Sequence, residues 1–158
     1  MSGNSHEIRT DTQLTVFLVN KPGVLSRVCH RLAQAKVNII GMTMMDSTEH
    51  GVLRVVTNDI AGARAALSDL DLPNNETQVL VATLPNRAGA LADVVERLAE
   101  SHVNVNYAYC TTGAPGGKTL GIFKVSDIPK ATAVLNARQP KRKEAPAPRR
   151  ADRGGRRR

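Results

Sequence analysis

Apolar and polar segments follow one another along this chain in an order that is met twice. Leu14 to Val19 is a short, almost wholly apolar run of the kind that forms a strand, and Asn20-Lys21-Pro22-Gly23 ends it with residues that cannot continue a ladder. Val24, Leu25, Val28, Leu32 and Ala35 then fall at helical spacing, with Arg27, His30, Arg31, Gln34 and Lys36 filling the other face. Val37 to Met45, rich in Val, Ile, Thr and Met, predicts a strand. A turn over Asp46 to Gly51 leads to another, Val52 to Thr57, and the two read as a hairpin. Asn58-Asp59 caps a predicted helix from Ile60 to Leu70, with Ile60, Ala63, Ala66 and Leu67 on one side.

The second pass runs from a strand over Val79 to Leu84, through the turn Asn86 to Gly89, to a helix over Ala90 to Ser101. Strands over Val103 to Thr111 and Thr119 to Val125 follow, then a helix over Ile128 to Asn136 capped by Ser126-Asp127. Residues 20–38 align without a gap on residues 86–104 at an offset of 66. The identical pairs are Asn20/Asn86, Gly23/Gly89, Leu25/Leu91, Val28/Val94, Arg31/Arg97, Leu32/Leu98, Ala33/Ala99, Val37/Val103 and Asn38/Asn104. A repeat of this kind sets the structural unit at about 65 residues. The offset grows to 68 across the second hairpin, because Gly113 to Lys118 is two residues longer than its counterpart; insertions belong in loop tips.

Each pass gives strand, helix, strand, strand, helix. The predicted fold class is therefore α+β: two ferredoxin-like (βαββαβ-type) units, each an antiparallel sheet with its helices on one face. The closing fourth strand is the weak point. Asp71 to Gln78 leaves room for a short strand running directly into Val79, and Pro73 with two Asn argues against a long one. No apolar alternation follows Asn136, so the second unit is expected to lack its fourth strand and to leave an open edge that invites strand addition or dimerisation. The expected organisation is a disordered N-terminus over 1–11, a first unit over 12–77, a second over 78–137, and a disordered Arg-rich tail over 138–158.

Composition narrows the function classes. The chain has 158 residues, 41% of them apolar, which is enough for a core, and with no Trp, two Phe and two Tyr that core must be aliphatic. No apolar run approaches the ~18 residues needed to cross a bilayer, and the first residues are polar, so a soluble cytoplasmic protein is expected. The net charge of +8 belongs entirely to residues 138–158, where ten Arg and Lys face only Glu144 and Asp152; residues 1–137 hold 12 basic and 12 acidic side chains. Such a tail suits either salt-sensitive contact with nucleic acid or another polyanion, or a solubilising extension.

Enzyme signals fail on inspection. Gly113 to Thr119 looks like a phosphate loop, but Thr112 stands where the motif needs Gly and the segment leads into a strand. His6, His30, His50 and His102 show no metal-ligand spacing with one another or with Cys29 and Cys110. Neither cysteine is placed for a disulfide framework, and both are expected to be ordinary buried or half-buried thiols. No catalytic residue, metal or cofactor is indicated. Tyr107 and Tyr109 share one strand face without a flanking basic residue, which disfavours the base-stacking sheet of an RNA-recognition domain.

What remains is the duplicated Asn-x-x-Gly turn. A glycine turn that opens a helix presents free backbone N–H groups and the positive end of the helix dipole, a setting suited to a small carboxylate. The alternative is structural: Asn20 or Lys21 as the helix N-cap, Pro22 in the first turn, and Gly23 and Gly89 present for close packing.

Strand, then Asn-Lys-Pro-Gly-Val-Leu, then a helix ending in Ala-x-x-x-Val-Asn-Ile, then a hairpin, resembles the ACT domain family. Asn-Arg-Ala-Gly-Ala-Leu with Ser-His-Val-Asn-Val resembles it again, so the likeness covers about residues 12–136 in two copies. It implies a stand-alone tandem ACT regulatory protein, non-enzymatic, that binds a small amino acid at the first strand-to-helix loop of each unit where two copies meet. By that resemblance the ligand-binding residues are Asn20, Lys21, Pro22, Gly23, Val24 and Leu25, and Asn86, Arg87, Ala88, Gly89, Ala90 and Leu91. Asn38 and Asn104 are expected to cap a helix or turn. Ala88 in place of Pro22 leaves the second loop less preset. The implied partners are an amino acid and a second copy in a homodimer, with occupancy coupled to association. An electrostatic adaptor with a degenerate ligand site, working through polyanion or nucleic-acid contact by residues 138–158, is the competing expectation.

Overall fold

In the computed structural model, which describes residues 7–45, 50–111 and 117–137, ten elements alternate in the expected order. They are β1 (Ile8–Val19), α1 (Val24–Gln34), β2 (Ile39–Met45), β3 (His50–Thr57), α2 (Ile60–Ser68), β4 (Asn74–Pro85), α3 (Ala90–Glu100), β5 (Val105–Cys110), β6 (Lys118–Val125) and α4 (Ile128–Asn136). The six strands form one antiparallel sheet in the order β2-β3-β1-β4-β6-β5.

Two long strands join the units. β1 and β4 have 12 residues each and pair from Ile8↔Ala82 to Val16↔Asn74. The first half of β4 closes the first unit beside β1, and its second half opens the second unit beside β6. The first half of β1 likewise occupies the fourth-strand position of the second unit. Three expectations change as a result. Ile8 to Asp11 lie in a strand rather than in a disordered N-terminus, the boundary at 77/78 falls inside β4, and the edge expected to be open is paired. Pro73 does not shorten β4, because it stands one residue before the strand and uses only its carbonyl, which accepts from Phe17 N at 2.9 Å. The strands at the two ends of the order are β2 and β5. The expected turn at 46–49, the hairpin tip 112–116, residues 1–6 and the tail 138–158 lie outside the described residues.

Alternation along β1 and β4 buries two faces. Leu14, Val16 and Leu18 join Val28, Leu32, Leu53, Val55, Ala63 and Leu67 in a core under α1 and α2. Leu80, Ala82 and Leu84 join Val94, Leu98, Phe123, Ala131 and Leu135 under α3 and α4, with Ile8 packed against them. The opposite face is covered by the sheet itself. The sheet coils until β2 and β5 touch, and Val56, Val79, Val81 and Ile122 form a third core there with Ile40, Tyr109 and Leu120. A Cβ on Gly41 would lie 2.5 Å from Ile122 Cδ1, so any side chain there would have to displace Ile122 from the third core.

The inner face also carries a polar cluster. Gln13, fully buried, donates from Nε2 to Thr15 Oγ1 (3.0 Å) and Tyr107 Oη (2.9 Å), and Tyr109 Oη donates to Gln13 Oε1 (3.0 Å). The Arg54 guanidinium lies 4.0 Å from the Tyr107 ring centroid. Burial, followed by the neighbouring Tyr107, raises the Tyr109 hydroxyl well above its ordinary pKa, with Arg54 opposing. The two tyrosines thus hold the halves of the sheet together.

Candidate functional site

Both duplicated turns are built alike. Each helix starts from a glycine in the left-handed region, Gly23 at φ 87° and Gly89 at φ 84°, a conformation that disfavours any side chain. Lys21 N bonds Val19 O at 2.8 Å and Arg27 N bonds Gly23 O at 3.0 Å; the matching bonds in the second turn, Arg87 N to Pro85 O and Asp93 N to Gly89 O, are both 2.9 Å. The N-cap is the glycine itself, so the alternative in which Asn20 or Lys21 caps the helix with Pro22 inside its first turn does not hold.

The four helix starts differ in one respect. α2 and α4 begin with Asp59 and Asp127, whose carboxylates accept from Gly62 N and Lys130 N at 2.9 Å. α1 and α3 have no side-chain cap at all. The first amide of each turns back on the loop, Val24 N to Lys21 O at 3.4 Å and Ala90 N to Arg87 O at 3.3 Å, and no side chain caps the amides that follow at the positive end of the dipole.

The twelve residues expected at the site fall together in two groups. Asn20, Lys21, Pro22 and Gly23 are exposed, while Val24 and Leu25 are half-buried against the first core. Arg87, Ala88, Gly89 and Leu91 are exposed, Asn86 is half-buried and Ala90 is buried in the second core. The groups do not meet each other. β1 and β4 are antiparallel and Val19 lies eleven residues beyond Ile8, the partner of Ala82, so the loops leave opposite ends of the strand pair, roughly 35 Å apart along β1.

The other duplicated identities are structural. Val28, Val94, Leu32, Leu98, Val37 and Val103 are buried. Val37 N bonds Leu32 O and Val103 N bonds Leu98 O at 2.9 Å, closing α1 and α3 with a left-handed residue, Lys36 or His102. Arg31 pairs with Asp69 at the C-cap of α2, and Arg97 donates to Val134 O and Ala137 O at the end of α4, each a cation at a helix C-terminus. Asn38 and Asn104 tie their backbones to Asn58 and Ser126, at the entries to α2 and α4: their N–H groups donate to Asn58 Oδ1 and Ser126 Oγ and their carbonyls accept from Asn58 N and Ser126 N, so the side chains in these bonds are those of Asn58 and Ser126.

Chemistry elsewhere is sparse. No group of three metal-ligating side chains occurs among the described residues. Both cysteines are free; Cys29 is half-buried, and Cys110, expected to be at least half-buried, is exposed because β5 ends the sheet. The sheet face that base stacking would need is closed by the opposite half of the molecule. No described helix is long and apolar enough to cross a membrane.

Two α/β units sharing one sheet, each with an uncapped glycine-started helix, define a tandem ferredoxin-like module. The family model for an ACT domain pair matches residues 9–141, and the chain belongs to that family of regulatory domains. The matched span begins within the first half of β1, the segment that completes the second unit.

A crystal structure of a protein from Bacteroides thetaiotaomicron is similar over 81% of this chain and 88% of that one, at 30% identity and a TM-score of 0.74. The regulatory subunit of aspartate kinase from Thermus flavus shares the fold at 14% identity and a TM-score of 0.60, over 85% of this chain and 95% of its own. The ligand-free form of that subunit from Thermus thermophilus aligns with a TM-score of 0.61, also at 14% identity, over the same shares of each chain. No match is found among curated protein sequences.

Proposed function

We propose that this protein is a non-catalytic cytoplasmic regulator that binds a small amino acid at its β1–α1 and β4–α3 loops and couples occupancy to self-association. The observation that carries the proposal is the contrast between the helix starts: α2 and α4 are capped by a carboxylate of their own, whereas α1 and α3 begin at glycine with no side-chain cap, and the first turn of α1 contains no acidic residue. The carboxylate of an amino acid would do just past Val24, whose own N–H bonds Lys21 O, at the Leu25 amide, what Asp59 does at Gly62. Asn20 and Asn86 stand on the rims, where a side-chain amide oxygen would accept from its ammonium group. The loops of one chain face away from each other, so a ligand shared between copies would be shared between two chains, and it would favour the homodimer only by its differential affinity for it.

A thermal-shift screen of the twenty amino acids tests this. A ligand at a hundred times its Kd adds about 2.7 kcal/mol of stability. One or a few amino acids at millimolar concentration should raise Tm, and Gly23→Asp with Gly89→Asp should lose that response relative to its own unliganded Tm. No response from the wild-type chain to any of the twenty would remove the proposal.

The charge in residues 138–158 supports a separate reading, polyanion contact through the tail. Deleting that segment should abolish salt-sensitive binding to a nucleic-acid duplex; unchanged binding would exclude the tail as the contact.

A further inference from the structure

We propose that each chain binds one amino acid, at the Asn20–Gly23 loop, because the cation of the second loop is already neutralised by its own ion pair while those of the first are not. The inference rests on the reading of these loops as amino-acid sites and adds which of them works. In the second loop, Arg87 Nη2 lies 3.2 Å from Asp93 Oδ2 and Arg87 Nη1 donates to Ala88 O at 3.1 Å. The same Nη1 would stand 3.8 Å from a Cβ on Gly89, so the guanidinium lies across the turn. Asp93 puts a carboxylate in the first turn of α3. An incoming carboxylate would meet that negative charge and would have to draw Arg87 away from it.

The first loop differs at each of these positions. Arg27 occupies the place of Asp93, and the first turn of α1 contains no acidic residue. Lys21 and Arg27 are exposed, and among the described residues neither is in an ion pair. Nothing lies within 4 Å of a Cβ placed on Gly23. The local charge is therefore two positive groups around an open turn in one loop and a neutralised pair across the turn in the other. The Arg87–Asp93 pair is half-exposed and is by itself a weak barrier. The discrimination comes from the net charge at the helix start, two uncompensated cations at α1 against a neutralised pair at α3, which favours an anion at α1 by roughly tenfold or more in affinity.

Titration calorimetry on the full chain, with the amino acid that gives the largest thermal shift, reads the outcome directly. One ligand per chain is expected for the wild type. Arg27→Asp, which brings the second loop's charge to the first, should weaken binding at least about tenfold. Asp93→Arg should leave the first event within about twofold and add a second; Asp93→Asn reads the same change in milder form should the arginine variant fold poorly. Two equivalent ligands per wild-type chain would overturn this proposal and leave the amino-acid reading intact, as would loss of the single event on Asp93→Asn. Absence of binding by any of the twenty amino acids would overturn both.

Discussion

Deleting residues 1–11 should destabilise the second unit, although Ile8 and its partner Ala82 are far apart in sequence. Ile8 to Asp11 pair with Ala82 to Val79, and Glu7 O accepts from Thr83 N at 2.9 Å. Four ladder hydrogen bonds at about 1 kcal/mol each give about 4 kcal/mol. Ile8 packs against the second core, and Val79, Leu80, Val81 and Ala82 are all 0% exposed; losing Ile8 and uncovering these four adds about another 4 kcal/mol at 25 cal/mol per Å². Freeing the four backbone residues returns about 4–6 kcal/mol of conformational entropy. The net loss is about 2–4 kcal/mol, a fall in Tm of roughly 10 °C. Urea and thermal unfolding of the deletion, against a reference deletion ending at residue 6 that keeps the ladder whole, measures it. A Tm within about 2 °C of the reference would refute the shared-strand account.

Other consequences follow from single residues. Lys36 and His102 sit at φ 57° and 54°, so Lys36→Gly and His102→Gly should each stabilise the fold by about 1 kcal/mol in urea unfolding, and a loss of stability would contradict the helix-end geometry. The Tyr109 hydroxyl is held neutral in the fold, whereas in the unfolded chain it ionises near 10. The folded state therefore binds more protons above that pH, and stability should fall as pH rises past about 10, by up to about 1.4 kcal/mol per unit. Tyr109→Phe should flatten that slope between about pH 10 and 11; an unchanged slope would rule out burial of the hydroxyl.

Much of this arrangement is legible in sequence, and the limits have physical causes. The helices and hairpins announce themselves because one face of each is buried against a core, which writes an apolar period into the chain. The first half of β1 does not, because Arg9, Thr10, Asp11 and Thr12 are polar and Arg9 and Asp11 satisfy one another at 3.3 Å; only Ile8 points to a core. That segment is a strand because β4 offers it a ladder, a fact located some seventy residues away. The polar link from Gln13 to Tyr107 and Tyr109 is hidden for the same reason. Their duplication marks the loops in the sequence, and the exchange of Arg27 for Asp93 is visible in the aligned repeat. Its meaning is not, since only the fold shows Arg87 lying across the turn to meet Asp93.

Backbone amide chemical shifts, followed as the stabilising amino acid is titrated into isotope-labelled protein, would locate the bound ligand on the fold. The largest saturable changes are expected at Gly23, Val24 and Leu25, with none saturating over the same concentrations at Gly89 to Leu91. Largest changes along β5 and β6, or no saturable change with any of the twenty amino acids, would contradict it.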